Sequence, residues 1–513
     1  MMNYWWVTRP KRRLNDVPEI LAMITENFLL KEWNGQKNLQ LNFEKELENR
    51  NLKKEGLRRD RRAGGARTYM AWIESLGLIF RQQATNKIYL TLAGEAIMNG
   101  TSPVLILKNQ IFKYQFPSAY TTTTANARVN KRFKIRPFRF MFKLMMDSRI
   151  NYLTEDEIAK ILIVEADSES NRCYNYIVNR IIEYRKVGDD CLEPDFFDKY
   201  SSSRAKKANN FNSYKDIANT MKCWMEYTQL IFIEDGKIYI QQEKRHEVEK
   251  IVNDNSKLID RANDYEYFQR KYGVDPSHIK DTRNLERGER ITKEMIDEIR
   301  IRKYFISEAL KEPIFKISVS LIENAVDKLG INKGRIEQVL YKYYPKGGIN
   351  LFLSNYYQMA FNGRENAIEF EKATAVLCKE IFCFKVKHIG QKGLTPDIEV
   401  ISEQDNYTAI IDNKAYSRYA ITNDHHNRMV HNYIGSYLDK EPPLAFFLYI
   451  AGGFGSTIDE QVKKIYKETG IHGSAINITN FITLIENYLN FGYSHKTLKN
   501  IFMKNREIHL SDI

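Results

Sequence analysis

Two short segments near the C-terminus constrain this chain more than any others. Residues 397–403 (Asp397 to Glu403) and 407–414 (Tyr407 to Lys414) each read as a β-strand, and Gln404, Asp405 and Asn406 between them form a turn signal. Side chains alternate faces along a strand, so Asp412 and Lys414 point one way and Ile411 and Asn413 the other. A hairpin that splays open at its mouth brings Asp397 within reach of Asp412. Two carboxylates that close repel unless a divalent cation sits between them, and the lysine then holds or polarises an attacking water. The bland alternative is a pair of solvated acids at a strand edge.

At 513 residues the chain is too long for one ordinary core, and two to four domains are expected. Its 43% hydrophobic and 28% charged content is that of a soluble globular protein. The longest apolar run, Leu444 to Ala451, is too short to span a bilayer, and the N-terminus lacks the apolar segment of a secretory leader. Cys173, Cys191, Cys223, Cys378 and Cys383 are scattered without zinc-ligand spacing, which fits reduced thiols in a cytoplasmic protein. The net charge of +13 is unevenly placed: residues 1–150 hold 27 Lys and Arg against 12 Asp and Glu, and the rest of the chain holds 51 against 53. An excess confined to the first third is the electrostatic footprint of a polyanion-binding region, with nucleic acid favoured over a membrane surface.

One pattern occurs twice. Trp72, Glu74, Leu78, Ile79 and Phe80, followed by Lys87, Ile88 and Tyr89, match Trp224, Glu226, Leu230, Ile231 and Phe232, followed by Lys237, Ile238 and Tyr239. Each copy reads as an amphipathic helix, a short strand, a turn and a second strand, the closing part of a winged-helix unit. Residues 133–147 and 151–165 read as helices, with Thr154 as N-cap and Glu157 three residues on. Residues 198–213 read as an exposed loop, and 288–312 and 315–340 as helices. A break at Pro345, Lys346, Gly347 and Gly348 marks the main boundary. After it come a helix at 364–381, the acidic hairpin, a helix at 424–438, a buried central strand at 444–451, and helices at 456–469 and 478–490. The expected fold is multidomain: mainly α, winged-helix-type subdomains at 1–150 and 151–345, then an α/β domain at 346–513 with a mixed sheet flanked by helices.

Basic clusters suit the polyanion reading. Arg58, Arg59, Arg61, Arg62 and Arg67 surround Gly64 and Gly65; arginine forks match guanine edges and phosphates, and glycine lets a backbone approach closely. Arg128, Lys131 and Arg132 open a second cluster, continued by Lys134, Arg136 and Arg139 and interleaved with Phe133, Phe138 and Phe140, which read as core. His425, His426 and His431 lack a completing ligand at zinc spacing.

The residues from 370 to 433 resemble the cleavage domain of FokI-like type IIS restriction endonucleases, within the PD-(D/E)xK nuclease superfamily. The resemblance rests on Lys387, His388, Ile389 and Gly390, on Pro396 and Asp397, on Asp412, Asn413, Lys414, Ala415, Tyr416 and Ser417, and on Met429 and Tyr433. It continues through Gly452, Gly453 and Phe454 to the end of the chain. The N-terminal two-thirds is similar in layout to AlwI-like type IIS enzymes and related nickases, through Trp5 and Trp6, Arg9, Pro10, Lys11, Arg12 and Arg13, the hairpin ending in Leu92, Ala93 and Gly94, and Lys113 to Ser118. The resemblance implies Mg²⁺ as cofactor, held by Asp397 and Asp412 with the carbonyl of Asn413 and the helix carboxylate Glu371, Glu369 being the fallback. It implies that Lys414 activates the water; His388 either hydrogen-bonds the scissile phosphate or is a structural histidine. It further implies binding of double-stranded DNA at a short asymmetric site, in which Lys11, Arg12 and Arg13 join the arginine clusters, and cutting at a fixed distance outside that site. Cutting both strands implies a transient homodimer through helix 424–438. The rivals are a strand-specific nickase with the same chemistry and a non-catalytic DNA-binding regulator. No glycine-rich cofactor loop or methyltransferase motif stands in the sequence, so no small-molecule cofactor is expected.

Overall fold

The computed structural model describes residues 2–53, 63–124, 127–196, 212–285, 292–361, 363, 367–390 and 394–513. The chain divides into two compact units: Met1–Glu308 with Lys316–Asn350, and Ala309–Phe315 with Leu351–Ile513. No helix among the described residues is long and apolar enough to cross a membrane. Most of the expected loop at 198–213 lies outside the described residues.

In the first unit both copies of the repeated pattern form a helix followed by a hairpin. Helix Gly64–Ser75 leads into antiparallel β1 (Ile79–Arg81) and β2 (Ile88–Leu90). Trp72, Ile73, Leu78 and Phe80 are buried, and the Glu74 carboxylate is held by Arg81 at 2.8 Å. Helix Asn212–Tyr227 leads into β4 (Ile231–Glu234) and β5 (Lys237–Ile240), with Trp224 fully buried against Phe138. The second copy gains a strand that the sequence reading places inside a helix: β3 (Leu153–Thr154) pairs with β5, giving the order β3-β5-β4. Thr154 then caps the following helix through a reciprocal pair of bonds with Glu157. The single helix expected over 315–340 is two, Val319–Leu329 and Lys333–Tyr343, because Gly330 sits at φ +64 and reverses the chain.

The second unit is a five-stranded mixed sheet in the order β10-β9-β8-β7-β6, made of β6 (Lys385–His388), β7 (Ile398–Ser402), β8 (Tyr407–Lys414), β9 (Leu444–Ala451) and β10 (His472–Asn477). β6, β7 and β8 run antiparallel, and β8, β9 and β10 parallel. The apolar run 444–451 is an interior strand, but the central position belongs to β8, which pairs with β7 on one side and β9 on the other. The irregular helix 423–437 and helix Ile458–Thr469 pack on one face through Met429, Tyr433, Phe447, Tyr449, Val462 and Ile465. Helix Ala367–Glu380 also packs on β6, β7 and β8, and its Thr374 meets Asn413, a side chain that alternates away from Asp412 and Lys414.

One half-buried lysine in the first unit gives a measurable signature. Lys113 ends helix Pro103–Lys113 and donates to the Val274 carbonyl at 2.5 Å. Burial pulls its pKa down to about 7, against the opposing pull of Asp275. The folded value lies below the unfolded value of about 10.4, so between them the unfolded chain binds the extra proton and stability rises with pH. Thermal unfolding of the wild type from pH 7 to 9 should show this rise, on the order of 1 kcal/mol per pH unit. In Lys113→Met that component should vanish.

Candidate active site

The β7–β8 pairing carries the acids to one point. Ile398 pairs with Ile411 at the end of the ladder, so Asp397, one residue before β7, stands across from Asp412. The Asn413 N–H donates to Asp397 Oδ2 at 2.7 Å and fixes that carboxyl beside β8. Asp412 is 3% exposed; Lys414 Nζ lies 2.7 Å from its Oδ2, and its Oδ1 is buried without a partner.

The electrostatics of this cluster are those of an incomplete site. Burial first, and then the charge of Asp412, push Asp397 up to about 9, with Lys414 opposing. Like charges a few ångströms apart repel by several kcal/mol away from bulk water, which is the sense of the rise at Asp397. Burial pulls Lys414 down, but Asp412 and Asp397 outweigh it and hold the ammonium above its usual range. An orphaned carboxylate oxygen beside a second acid is a donor set suited to a hard divalent cation. Asp397 and Asp412 would hold it.

Glu371, from helix Ala367–Glu380, is buried at the rim of the same cluster. Burial raises its pKa, His388 opposes, and Asp412 adds to the rise. Its Oε2 lies 3.4 Å from His388 Nε2, so the carboxylate is turned to the imidazole. Among the described residues no three His, Cys, Asp or Glu side chains converge to hold a metal ion; the converging acids are the two aspartates. His425 bonds Tyr419 and His426 bonds Glu468, so the three histidines of that helix do not share a centre.

Tyr419 and Tyr449 near the lysine escape a reading of the sequence, whereas Tyr433, Gly452 and Gly453 are among the residues that carry the resemblance. The Tyr419 ring lies 6.0 Å from Lys414 Nζ, and Tyr449 pairs directly with Asp412 across β8 and β9. Burial and then the Asp412 charge push the Tyr433 hydroxyl up to about 12. Gly452 and Gly453 let a second backbone pass the loop after Lys414: a Cβ on Gly453 would sit 2.6 Å from the Ser417 carbonyl, and one on Gly452 2.8 Å from that of Tyr416. Thr374 also escapes, although it lies one helical turn from Glu371 on the same face.

Comparison with known proteins assigns both ends of this arrangement. Residues 330–509 match the family model of the FokI cleavage domain, and residues 74–305 match that of the AlwI restriction endonuclease. The chain belongs to the type IIS restriction endonucleases. It is therefore a site-specific DNA endonuclease. No curated protein matches the chain. A solved structure of restriction endonuclease FokI bound to DNA matches at 13% identity and TM-score 0.28, over 87% of this chain and 82% of that one. A second FokI structure matches at 14% and 0.29, over 99% and 100%. The binding domain of the BpuJ1 endonuclease, in complex with modified DNA, matches at 16% and 0.40, over 52% and 95%. TM-scores this low carry no weight in the assignment, which rests on the two sequence families.

In this restriction endonuclease the candidate DNA-contacting side chains fall into three groups. Arg58, Arg59, Arg61 and Arg62 lie outside the described residues. Arg67, Arg128 and Lys131 are exposed, Arg67 with a 3.3 Å bond to Gln40. The others have internal partners: Lys11 pairs with Asp16, Arg12 reaches Asp216 at 2.8 Å, and Arg13 lies in the field of Glu226. Arg132 bonds Asn3 at 2.6 Å and covers the Phe133 ring at 4.1 Å. Phe133, Phe138 and Phe140 are core residues, as their spacing suggests.

Calcium titrated into the DNA-free enzyme should raise its melting temperature, by the equivalent of about 2.7 kcal/mol at one hundred times the dissociation constant. In Asp412→Asn the upward shift should disappear, as scanning calorimetry would read directly.

Proposed function

We propose that this enzyme recognises a short asymmetric duplex site through its N-terminal region and hydrolyses phosphodiesters a fixed distance outside it with a Mg²⁺-dependent C-terminal domain. The observation that carries the proposal is the pairing of Asp397 with Asp412 beside Lys414 at the end of the central strand. Residues 1–150 and 151–345 are the recognition subdomains and 346–513 the nuclease domain. In support, both copies of the repeated pattern form a helix followed by a hairpin, and in the second copy a third strand joins in the order β3-β5-β4.

In the nuclease domain, Asp397 and Asp412 would hold the cation; the Asn413 carbonyl, and Glu371 once turned away from His388, would be the further ligands. When bound, Mg²⁺ polarises the phosphoryl oxygen and makes the attacking water acidic. Lys414 orients that water and offsets the charge that gathers on the phosphate. Its charged state is supported by the two aspartates, which outweigh the cost of its burial. Glu371 steadies the His388 ring, which hydrogen-bonds the scissile phosphate.

One such site handles one strand, so double-strand cutting needs a second chain, paired transiently through the 424–438 segment. Asn427, His431, Gly435 and Leu438 are exposed at helical spacing along it, and Leu438 is 60% exposed. On supercoiled plasmid, linear DNA should therefore accumulate at high enzyme concentration. Open circles that persist there would make the enzyme a nickase. Asp412→Ala should lose at least about a thousandfold in cleavage rate while its site-specific gel shift stays intact. Undiminished cutting by that variant would remove the assigned active site.

A further inference from the structure

We infer that Thr374 is a positioning residue for the aspartate pair, acting through Asn413; the inference rests on the proposed assignment of Asp397 and Asp412 as the cleavage site. Thr374 is fully buried in helix Ala367–Glu380. A threonine hydroxyl offers one proton and two acceptor positions. Here all three are used. The proton goes to the Phe370 carbonyl at 2.9 Å, one acceptor position takes the Tyr356 hydroxyl at 2.7 Å, and the other takes Asn413 Nδ2 at 2.6 Å.

This saturation dictates the orientation of the asparagine. With the only hydroxyl proton committed to Phe370, Asn413 must present its NH₂ group; a flipped amide would set two acceptors against each other. The consequence is visible on the other side of the amide, where Oδ1 is buried without a partner. An apolar side chain would avoid that unmet group, so stability alone does not account for the residue. What the amide does achieve is to pin the backbone between Asp412 and Lys414. The N–H of that residue donates to Asp397 Oδ2 at 2.7 Å. The chain Tyr356, Thr374, Asn413 therefore ends on one of the two acids and sets its rotation toward the other.

The test compares full-length Thr374→Val, which keeps the shape and removes the hydroxyl, with Thr374→Ser, which keeps the hydroxyl. Calcium-induced thermal shifts without DNA, and the Mg²⁺ concentration for half-maximal cleavage, read the site directly. Thr374→Val should need about tenfold more ion in both measurements and lose kcat, with KM for DNA and the gel shift unchanged. Thr374→Ser should return to within about twofold of the wild type. Asn413→Ala keeps the backbone carbonyl and N–H but lacks the anchor; it should reproduce the valine result, and it replaces that variant if the latter fails to fold. A lowered metal-free melting temperature with unchanged ion dependence would reduce Thr374 to a packing residue and overturn the inference. Asp412→Ala run alongside separates the two levels: full activity there rejects the cleavage site itself, whereas an inactive Asp412→Ala with an unaffected Thr374→Val rejects only the role of Thr374.

Discussion

The enforced closeness of Asp397 and Asp412 is the constraint on which the nuclease unit turns. Water would separate two carboxylates, and a protein interior makes their repulsion larger. The fold resists by placing one acid on the strand with most support. β8 is paired on both sides, antiparallel to β7 and parallel to β9, and seven of its eight residues are buried. The other acid, Asp397, is tied to that strand by the Asn413 N–H. Lys414 offsets part of the repulsion from within the same strand. Alternation makes this economical: one face carries Asp412 and Lys414 of the candidate site, and Asn413 between them turns to the supporting helix.

How legible was this in the sequence? The hairpin was, because period-2 alternation and a turn signal survive without any tertiary information. β7 and β8 end within a residue of where the pattern puts them, and the turn closes on Asn406 at φ +49. The motif residues Asp397, Asp412 and Lys414 come together because adjacent strands need only correct register to do so. Thr374 was not legible. Its role depends on which hydroxyl proton goes where, and nothing in its neighbours Ala373 and Ala375 marks it. Glu371 was visible as a helix acid, but its turn toward His388 depends on how β6 meets that helix. In the first unit, two-residue β3 falls within a segment whose pattern reads as helix, because a strand that short has no periodicity of its own. The split of 315–340 was hidden for a different reason: Gly330 ends a helix only when the chain takes up the left-handed conformation that glycine permits.

Charge is the place where composition and geometry most need to be read together. The surplus of basic residues in the first third is real, yet among the described residues several of its arginines hold the fold together. Arg136 bridges to Glu169 at 2.6 Å and to Ser256, Arg139 binds the Val252 carbonyl at 2.8 Å, and Arg132 ties Asn3 to the helix end at Val164. The guanidinium suits such work because its planar fork makes several bonds at once, at less entropic cost per bond than lysine. Counting charges thus locates a basic region but overstates how many of its members face a partner.

The division of charge still bears on how recognition and cutting are separated. Attraction to a polyanion falls steeply with salt and scales with the number of phosphates neutralised. The net +15 of residues 1–150 concentrates that attraction in one part of the chain, and the 51 basic against 53 acidic residues of the remainder supply almost none. A nuclease unit without its own long-range pull on DNA depends on the basic region to bring it to the duplex. Lys414 does not alter this, since it is paired with Asp412 and faces a second acid. Under the proposed division of roles, weak attraction in the cutting unit joined to strong attraction in the basic region would keep random cleavage low without any need to block the site itself.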